Sequence, residues 1–167
     1  NDLYLEGITL SANLSYTNAL ADAVKGSQVL LLVSPSQVMR PVLKQLEPYL
    51  ANDCLLVSAA KGIENDTLMT MSEVLQEVLG ADVKQRSAFL SGPSFAREVA
   101  EEQPTAVAVA ADNLEVAARI QELFSTDYFR VYTNQDVVGV EIGGAMKNVI
   151  ALAAGVADGL GFNHNAR

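Results

Sequence analysis

The sequence contains no tryptophan, one cysteine and one histidine, and aromatic residues fill only 6% of its 167 positions. A single cysteine, Cys54, excludes an intrachain disulfide. It stands in the apolar run "CLLVSAA", where a small buried hydrophobe is expected. A lone cysteine fits a reducing, cytoplasmic compartment. With His164 the only histidine, a zinc site has almost no ligand set to draw on and a Ser-His-Asp triad has little support, so His164 is given no role. Basic residues are scarce as well: 11 Lys and Arg face 20 Asp and Glu, for a net charge of −9. The broad basic footprint of a nucleic-acid binder is missing. An anionic small molecule stays open, because a site can be locally basic. No uncharged apolar run reaches the 18 residues of a membrane span. The nearest, 142–157, is broken by Lys147, so no membrane insertion is expected. The opening "NDLYLEGITL" has no basic region followed by a long apolar core and is not read as a secretory signal. Its first residue is Asn, which reads as the mark of a processed or truncated chain.

What is present is a core. Hydrophobic residues make up 50% of the chain and charged residues 19%, enough for one ordinary domain or one domain plus a piece of a second. Five β-rich runs recur: 28–34 "QVLLLVS", 53–59 "DCLLVSA", 87–91 "SAFLS", 105–110 "TAVAVA" and 129–133 "FRVYT". The first two are continuous apolar runs, as in parallel strands covered on both faces. "GITL" at 7–10 and "SYT" at 15–17 are weaker strand candidates. Helical patterns lie between the runs. Ser34-Pro35-Ser36-Gln37 reads as a capping box opening a helix through Tyr49, with Val38, Val42, Leu46 and Tyr49 on its inner face. Leu68, Met71, Leu75 and Leu79 repeat the pattern, and Gly80 stops it. Asp112 to Glu115 opens a third helix, with Leu114, Ala117, Ala118 and Leu123 as core candidates. Alternating strands and helices specify an α/β fold with a mostly parallel sheet. From Gln135 onward the alternation ends and one long helical run continues. The expected division is therefore 1–134, the sheet domain, and 135–167, the start of a helical domain.

In open α/β sheets ligands bind at the carboxyl ends of strands, which directs attention to three loops: "SPSQ", "SAAKGIE" and "SGPSFARE". Lys61 sits just past a strand and before Gly62, placed to meet an anion or a carbonyl oxygen. A solvated loop lysine would look the same. In "SGPSFA", Gly92 and Pro93 force a turn, and Ser94 is expected to cap the next helix, an arrangement suited to a phosphate or hydroxyl. Ordinary turn chemistry would also produce it. Lys147 is the one charge between Ile142 and Ala157. At helical spacing it shares a face with Gly143, Gly144, Ala151, Ala154 and Asp158. Another backbone or a ligand must come close there. Burying an unpartnered ammonium costs several kcal/mol, so the group loses its proton or finds an anion. Desolvation of that kind tunes a lysine toward general-base work. A snorkelling lysine, a structural partner to Asp158 or Glu141, and plain helix packing are the competing readings.

Taken together, "VSAAKGIEN", "LSGPSFAREVA", "PTAVAVA" and "FRVYTNQDVVGVEIGGAMKNVIALAAGVADGLGFNHNAR" resemble the NAD(P)-dependent glycerol-3-phosphate dehydrogenase family in its bacterial form, across nearly the whole chain. The resemblance implies a Rossmann-type domain (partial here, 1–134) followed by the first long helix of an all-helical substrate domain (from 135). It implies hydride transfer between NAD or NADP and C2 of glycerol 3-phosphate, giving dihydroxyacetone phosphate for glycerophospholipid synthesis in the cytoplasm. It implies that Lys147 is the catalytic proton acceptor and donor. Lys61, Gly92, Ser94, Lys147 and Asn148 would contact the phosphorylated substrate. Lys61 and Ala96 would contact the cofactor, and a homodimer is the family's expected assembly. The family's G-x-G-x-x-G turn does not occur here, nor does the later part of its helical domain, so the chain resembles a middle slice. Three alternatives stand beside this: a related β-hydroxyacid dehydrogenase, a noncatalytic nucleotide-binding fragment, and a Schiff-base lysine enzyme.

Overall fold

A computed structural model describes residues 4–162; His164 lies outside them. The order is α1 (Leu20–Val24), β1 (Val29–Leu32), α2 (Ser36–Leu46), β2 (Leu55–Ser58), α3 (Met71–Leu79), β3 (Ser87–Ser91), α4 (Ala96–Ala100), β4 (Thr105–Ala110), α5 (Leu114–Phe124), β5 (Phe129–Asn134) and α6 (Val137–Gly159). The five strands form one sheet in the order β1-β2-β3-β4-β5. Neighbours run parallel except β3 and β4, which are antiparallel. All five expected strands are present. "GITL" and "SYT" form no strand; turns around Gly7 and at 12–13 leave neither segment a ladder to join.

Side-chain alternation along the strands divides the interior into two cores. On one face Leu32, Leu56, Phe89 and Ala110 meet Met39 and Leu43 of α2 and Met71, Val74 and Leu75 of α3. On the other, Val57, Ala88, Leu90, Val107 and Val109 meet Val116, Ala117 and Ile120 of α5. Right-handed crossovers explain the split. β1-α2-β2 and β2-α3-β3 place their helices on one face, and the reversed direction of β4 and β5 sends α5 to the other. Each fully buried Leu, Met or Ile contributes about 1.5–3 kcal/mol.

The inner faces of two helices differ from the sequence expectation. α2 buries Ser36, Met39, Leu43 and Leu46, while Val38 and Tyr49 are exposed. Its α-helical turn ends at Leu46 and passes into a 3₁₀ turn at Glu47–Tyr49, so the 3.6-residue count does not reach Tyr49. Pro35 precedes the helix, and no side chain caps it. Gln37 is drawn instead to the neighbouring loop. In α5 the buried residues are Val116, Ala117 and Ile120; Leu114, Ala118 and Leu123 face outward. The cap is Asn113, whose side chain accepts from the Glu115 N–H at 3.0 Å. Leu68 lies before α3, exposed, with a φ of 58°. Gly80 does end α3, with a φ of 89° and its N–H on the Gln76 carbonyl. β1 is an edge strand, and Leu31 and Val33 are exposed rather than covered.

α6 leaves β5 and packs on β3 and β4, on the face that carries α2 and α3. Asp136 caps it by accepting from the Gly139 N–H at 2.8 Å. Of its 23 residues only Val137 and Ala157 are buried. On length and composition alone it could cross a bilayer.

Candidate functional site

The loop after β2 carries Lys61 and is held firmly. Gln37 of α2 donates to the Ile63 carbonyl at 2.7 Å and accepts from the Asn65 N–H at 3.0 Å. Arg40 grips Glu64 with two short bonds, 2.9 and 2.8 Å, and reaches Glu77 of α3 at 2.7 Å. Thr67 donates to the same Glu64 carboxylate. The Arg40 and Thr67 bonds hold the Glu64 carboxyl down at about 2, and Arg40 is correspondingly raised. A paired, hydrogen-bonded carboxylate of this kind is a structural clamp.

The loop after β3 is shaped by close packing. Gly92 has a φ of 147°, and a Cβ there would lie 2.9 Å from the backbone of Val107. Only glycine lets the chain turn against β4 at this point. Ser94 is not the helix cap expected from sequence. α4 begins at Ala96 with Phe95 in the capping position and no side-chain cap. The Ser94 hydroxyl faces Lys61 instead, accepting from its Nζ at 3.5 Å, and points its proton toward the Gly92 carbonyl at 3.4 Å.

α6 completes the enclosure. Gly144 lies so near Ser91 that a Cβ would meet its Oγ at 2.5 Å. This is the close approach that the small-residue face of the helix demands. One turn on, Lys147 reaches over the Phe95 ring, its Nζ 5.5 Å from the ring centroid. The result is a cleft of about 590 Å³, lined among others by Lys61, Gly92, Ser94, Phe95, Ala96, Gly144 and Lys147. A volume of this size suits a small ligand together with part of a larger one.

Two ammonium groups therefore share one cleft. Burial lowers the Lys61 pKa below its ordinary value, and the charge of Lys147 lowers it further. Burial does not fall on Lys147, as the apolar stretch around it had implied: its side chain is exposed to the open cleft. Glu141 accepts from the Ser72 N–H at the start of α3, at 2.9 Å, and its carboxyl is raised by burial.

Of the residues singled out in the sequence, Lys61, Gly92, Ser94, Ala96 and Lys147 all line this cleft. Asn148, one position and about 100° round the helix from Lys147, is exposed and does not line it. Ala151 and Ala154 lie beyond the cleft on the same helix and are exposed. Phe95 and Ser91 were not anticipated. Phe95 stands between two residues that were, in a loop fixed by Gly92; Ser91 follows from strand alternation with Phe89.

The glycine-pinned turn, the paired lysines and the small-residue helix can be set beside known proteins. The family model described as NAD-dependent glycerol-3-phosphate dehydrogenase N-terminus matches residues 1–117, and the corresponding C-terminus model matches 136–167. The chain belongs to the NAD-dependent glycerol-3-phosphate dehydrogenase family. It is 59% identical to glycerol-3-phosphate dehydrogenase [NAD(P)+] of Syntrophotalea carbinolica and 62% identical to that of Geobacter metallireducens, over all 167 residues. In both cases it spans about half, 50%, of the relative's length. A crystal structure of glycerol-3-phosphate dehydrogenase from Coxiella burnetii superposes with a TM-score of 0.86 at 32% identity, covering 99% of this chain and 50% of that one. Family membership favours this reading over the β-hydroxyacid dehydrogenase alternative, and the sheet is the Rossmann-like half of such a protein. The interval between the two family models, 117 to 136, contains β5 and ends at Asp136, the cap of α6.

Proposed function

We propose that the protein to which this chain belongs interconverts sn-glycerol 3-phosphate and dihydroxyacetone phosphate with NAD or NADP. The observation that carries this is the meeting of Lys61, Ser94 and Lys147 around one cleft at the carboxyl end of β3. Two cations and a hydroxyl suit a substrate with an anionic phosphate and an oxygen on C2. The cofactor also fits the residues present. Gly92, Ala96 and Gly144 leave a wall without side-chain bulk, and the cleft has room for a flat ring. Lys61 and Ala96 would hold the nicotinamide end; the cofactor supplies or accepts the hydride at C2.

The chain's own part is proton transfer and placement. Lys147 takes the proton from the C2 hydroxyl as hydride departs, and returns one to the carbonyl oxygen in the reverse direction. Phe95 limits its amine to one side of the cleft. Lys61 and Ser94 fix the substrate beside it, with Gly92 setting their loop. Asn148, beside Lys147 but outside the cleft lining, would have to turn toward the substrate to contact it. The exposed apolar flank of α6, with Ile150, Leu152 and Val156, is in this reading a protein interface and not a membrane span. Cytoplasmic location, supply of glycerophospholipid synthesis and a homodimer accompany the same assignment.

The test is substrate discrimination by the full-length enzyme, followed as oxidation of NADH or NADPH. Dihydroxyacetone phosphate should be reduced with kcat/KM at least about 100-fold above that for unphosphorylated dihydroxyacetone, because remote phosphate binding is used at the reacting carbon. Equal turnover of the two, or none of either, would contradict the assignment.

A further inference from the structure

Beneath the cleft floor lies a second, much smaller void of about 10 Å³, bounded by Ser58, Lys61, Phe89, Ser91, Glu141 and Gly144. It is large enough for one water molecule and nothing bigger. Two of the residues that bound it carry buried polar atoms with unmet needs. Ser58 Oγ and Glu141 Oε2 are both buried, and neither has a hydrogen-bond partner. Ser58 is only 2% exposed and sits at the end of β2 on the same sheet face as Leu56, the face over which α6 passes. A buried carboxylate oxygen and a buried hydroxyl are each costly to leave unsatisfied, and native structures rarely leave two such groups standing.

We infer that this void holds one ordered water joining Ser58 Oγ to Glu141 Oε2, and that through it Glu141 is the positioning residue that sets α6, and with it Lys147, against the sheet. The packing of α6 explains why such a tether is needed. Where the helix crosses β3 it presents Gly143 and Gly144, which offer no side chain to interlock. Val137 and Ala157 are buried near its two ends, and Val140 is partly buried against the core. Glu141 is the polar anchor between them. Its Oε1 accepts from the Ser72 N–H of α3, the Thr70 and Ser72 side chains lie beside the same carboxylate, and Oε2 has no hydrogen-bond partner. It lies six residues before Lys147, about 9 Å along the helix axis. A water accepting from Ser58 and donating to Glu141 ties α6 to β2 and α3 together.

The inference rests on the proposed function only for its kinetic consequence. A high-resolution crystal structure of the full-length protein reads the water directly, whatever the activity. One ordered water within about 3.2 Å of both atoms is expected, and it should vanish in Ser58→Ala. A direct Ser58–Glu141 bond, an empty void, or a water unmoved by Ser58→Ala would overturn the proposal. In the kinetics, Glu141→Ala should lower kcat about 10-fold or more with the cofactor KM little changed, as a small misplacement of Lys147 would. Glu141→Gln should restore it, since an amide still accepts from Ser72 and donates to the water. Unchanged kcat in Glu141→Ala, or equal loss in both variants, would overturn the positioning role. Should Glu141→Ala not fold, the Glu141→Gln and Ser58→Ala structures decide. An enzyme inactive on dihydroxyacetone phosphate but holding the water would sink the proposed function and leave the water site standing.

Discussion

At the scale of single residues, the site depends on a charge pair outside it. Lys61 is offered to the cleft by a loop that Arg40, Glu64 and Gln37 hold from behind. The Glu64 carboxyl falls from an ordinary 4.5 to about 2 on folding, chiefly through its bond from Arg40. A depressed carboxylate stabilises the fold above its unfolded value, and the contribution is lost as pH falls through its folded value. Glu64→Gln should therefore lower the urea midpoint at pH 6, and the deficit should shrink as pH drops from about 4.5 towards 2. Urea titrations at pH 6 and pH 3 check this; a deficit that is constant with pH would remove the clamp from the account. At this scale the sequence was informative about chemistry and silent about partners. Lys61, Ser94 and Lys147, singled out by residue type at strand ends and on a bare helix face, line one cleft. The Arg40–Glu64 pair did not, because its members are 24 positions apart and only the fold brings them together.

Among elements, the short distance between α6 and β3 matters most. Gly144 leaves no room for a methyl group beside Ser91. Gly144→Ala must turn the Ser91 hydroxyl aside or push the helix outward; where the helix moves, overpacking costs about 1–3 kcal/mol, set against about 1 kcal/mol that alanine gains over glycine in a helix. Thermal or urea unfolding measures it; a stabilised variant would show that the approach is looser than described. The small-residue face of α6 was legible because 3.6-residue periodicity groups Gly143, Gly144 and Lys147. The inner faces of α2 and α5 were less so. Both helices carry apolar residues at neighbouring angles, and the sheet selects Met39 over Val38 and Ile120 over Leu123. The capping box of α3, Thr70 with Glu73, is legible in the sequence as T-x-x-E. Ser94 was misplaced by one residue because the turn at Gly92 and Pro93 runs further before α4 begins.

For the whole molecule, the sheet and one long helix form a site wall that is open on one side. The chain spans about half of its relatives' length. α6 exposes Val149, Ile150, Leu152 and Val156, and β1 exposes Leu31 and Val33. In the proposed reading this apolar surface is where further protein packs. These 167 residues by themselves should bind NADH only weakly, with no micromolar site detectable by calorimetry, because no G-x-G-x-x-G turn is present to cradle the pyrophosphate. A micromolar Kd would show that the loops after β1 to β3 suffice. The strand-helix alternation was readable from pattern, as was the long helical run after residue 135, and the loops it directed attention to after β2 and β3 meet at one cleft. The antiparallel β4 and the second core behind it were not, since a six-residue apolar strand carries no sign of its direction.

The central claim is that Lys147 moves the proton at C2, and one measurement tests it most directly. Steady-state reduction of dihydroxyacetone phosphate by the full-length enzyme, wild type against Lys147→Ala, should show kcat lower by about 10²–10⁴-fold in the variant, with circular dichroism and unfolding midpoint unchanged. Near-wild-type turnover by a folded Lys147→Ala enzyme would contradict the account.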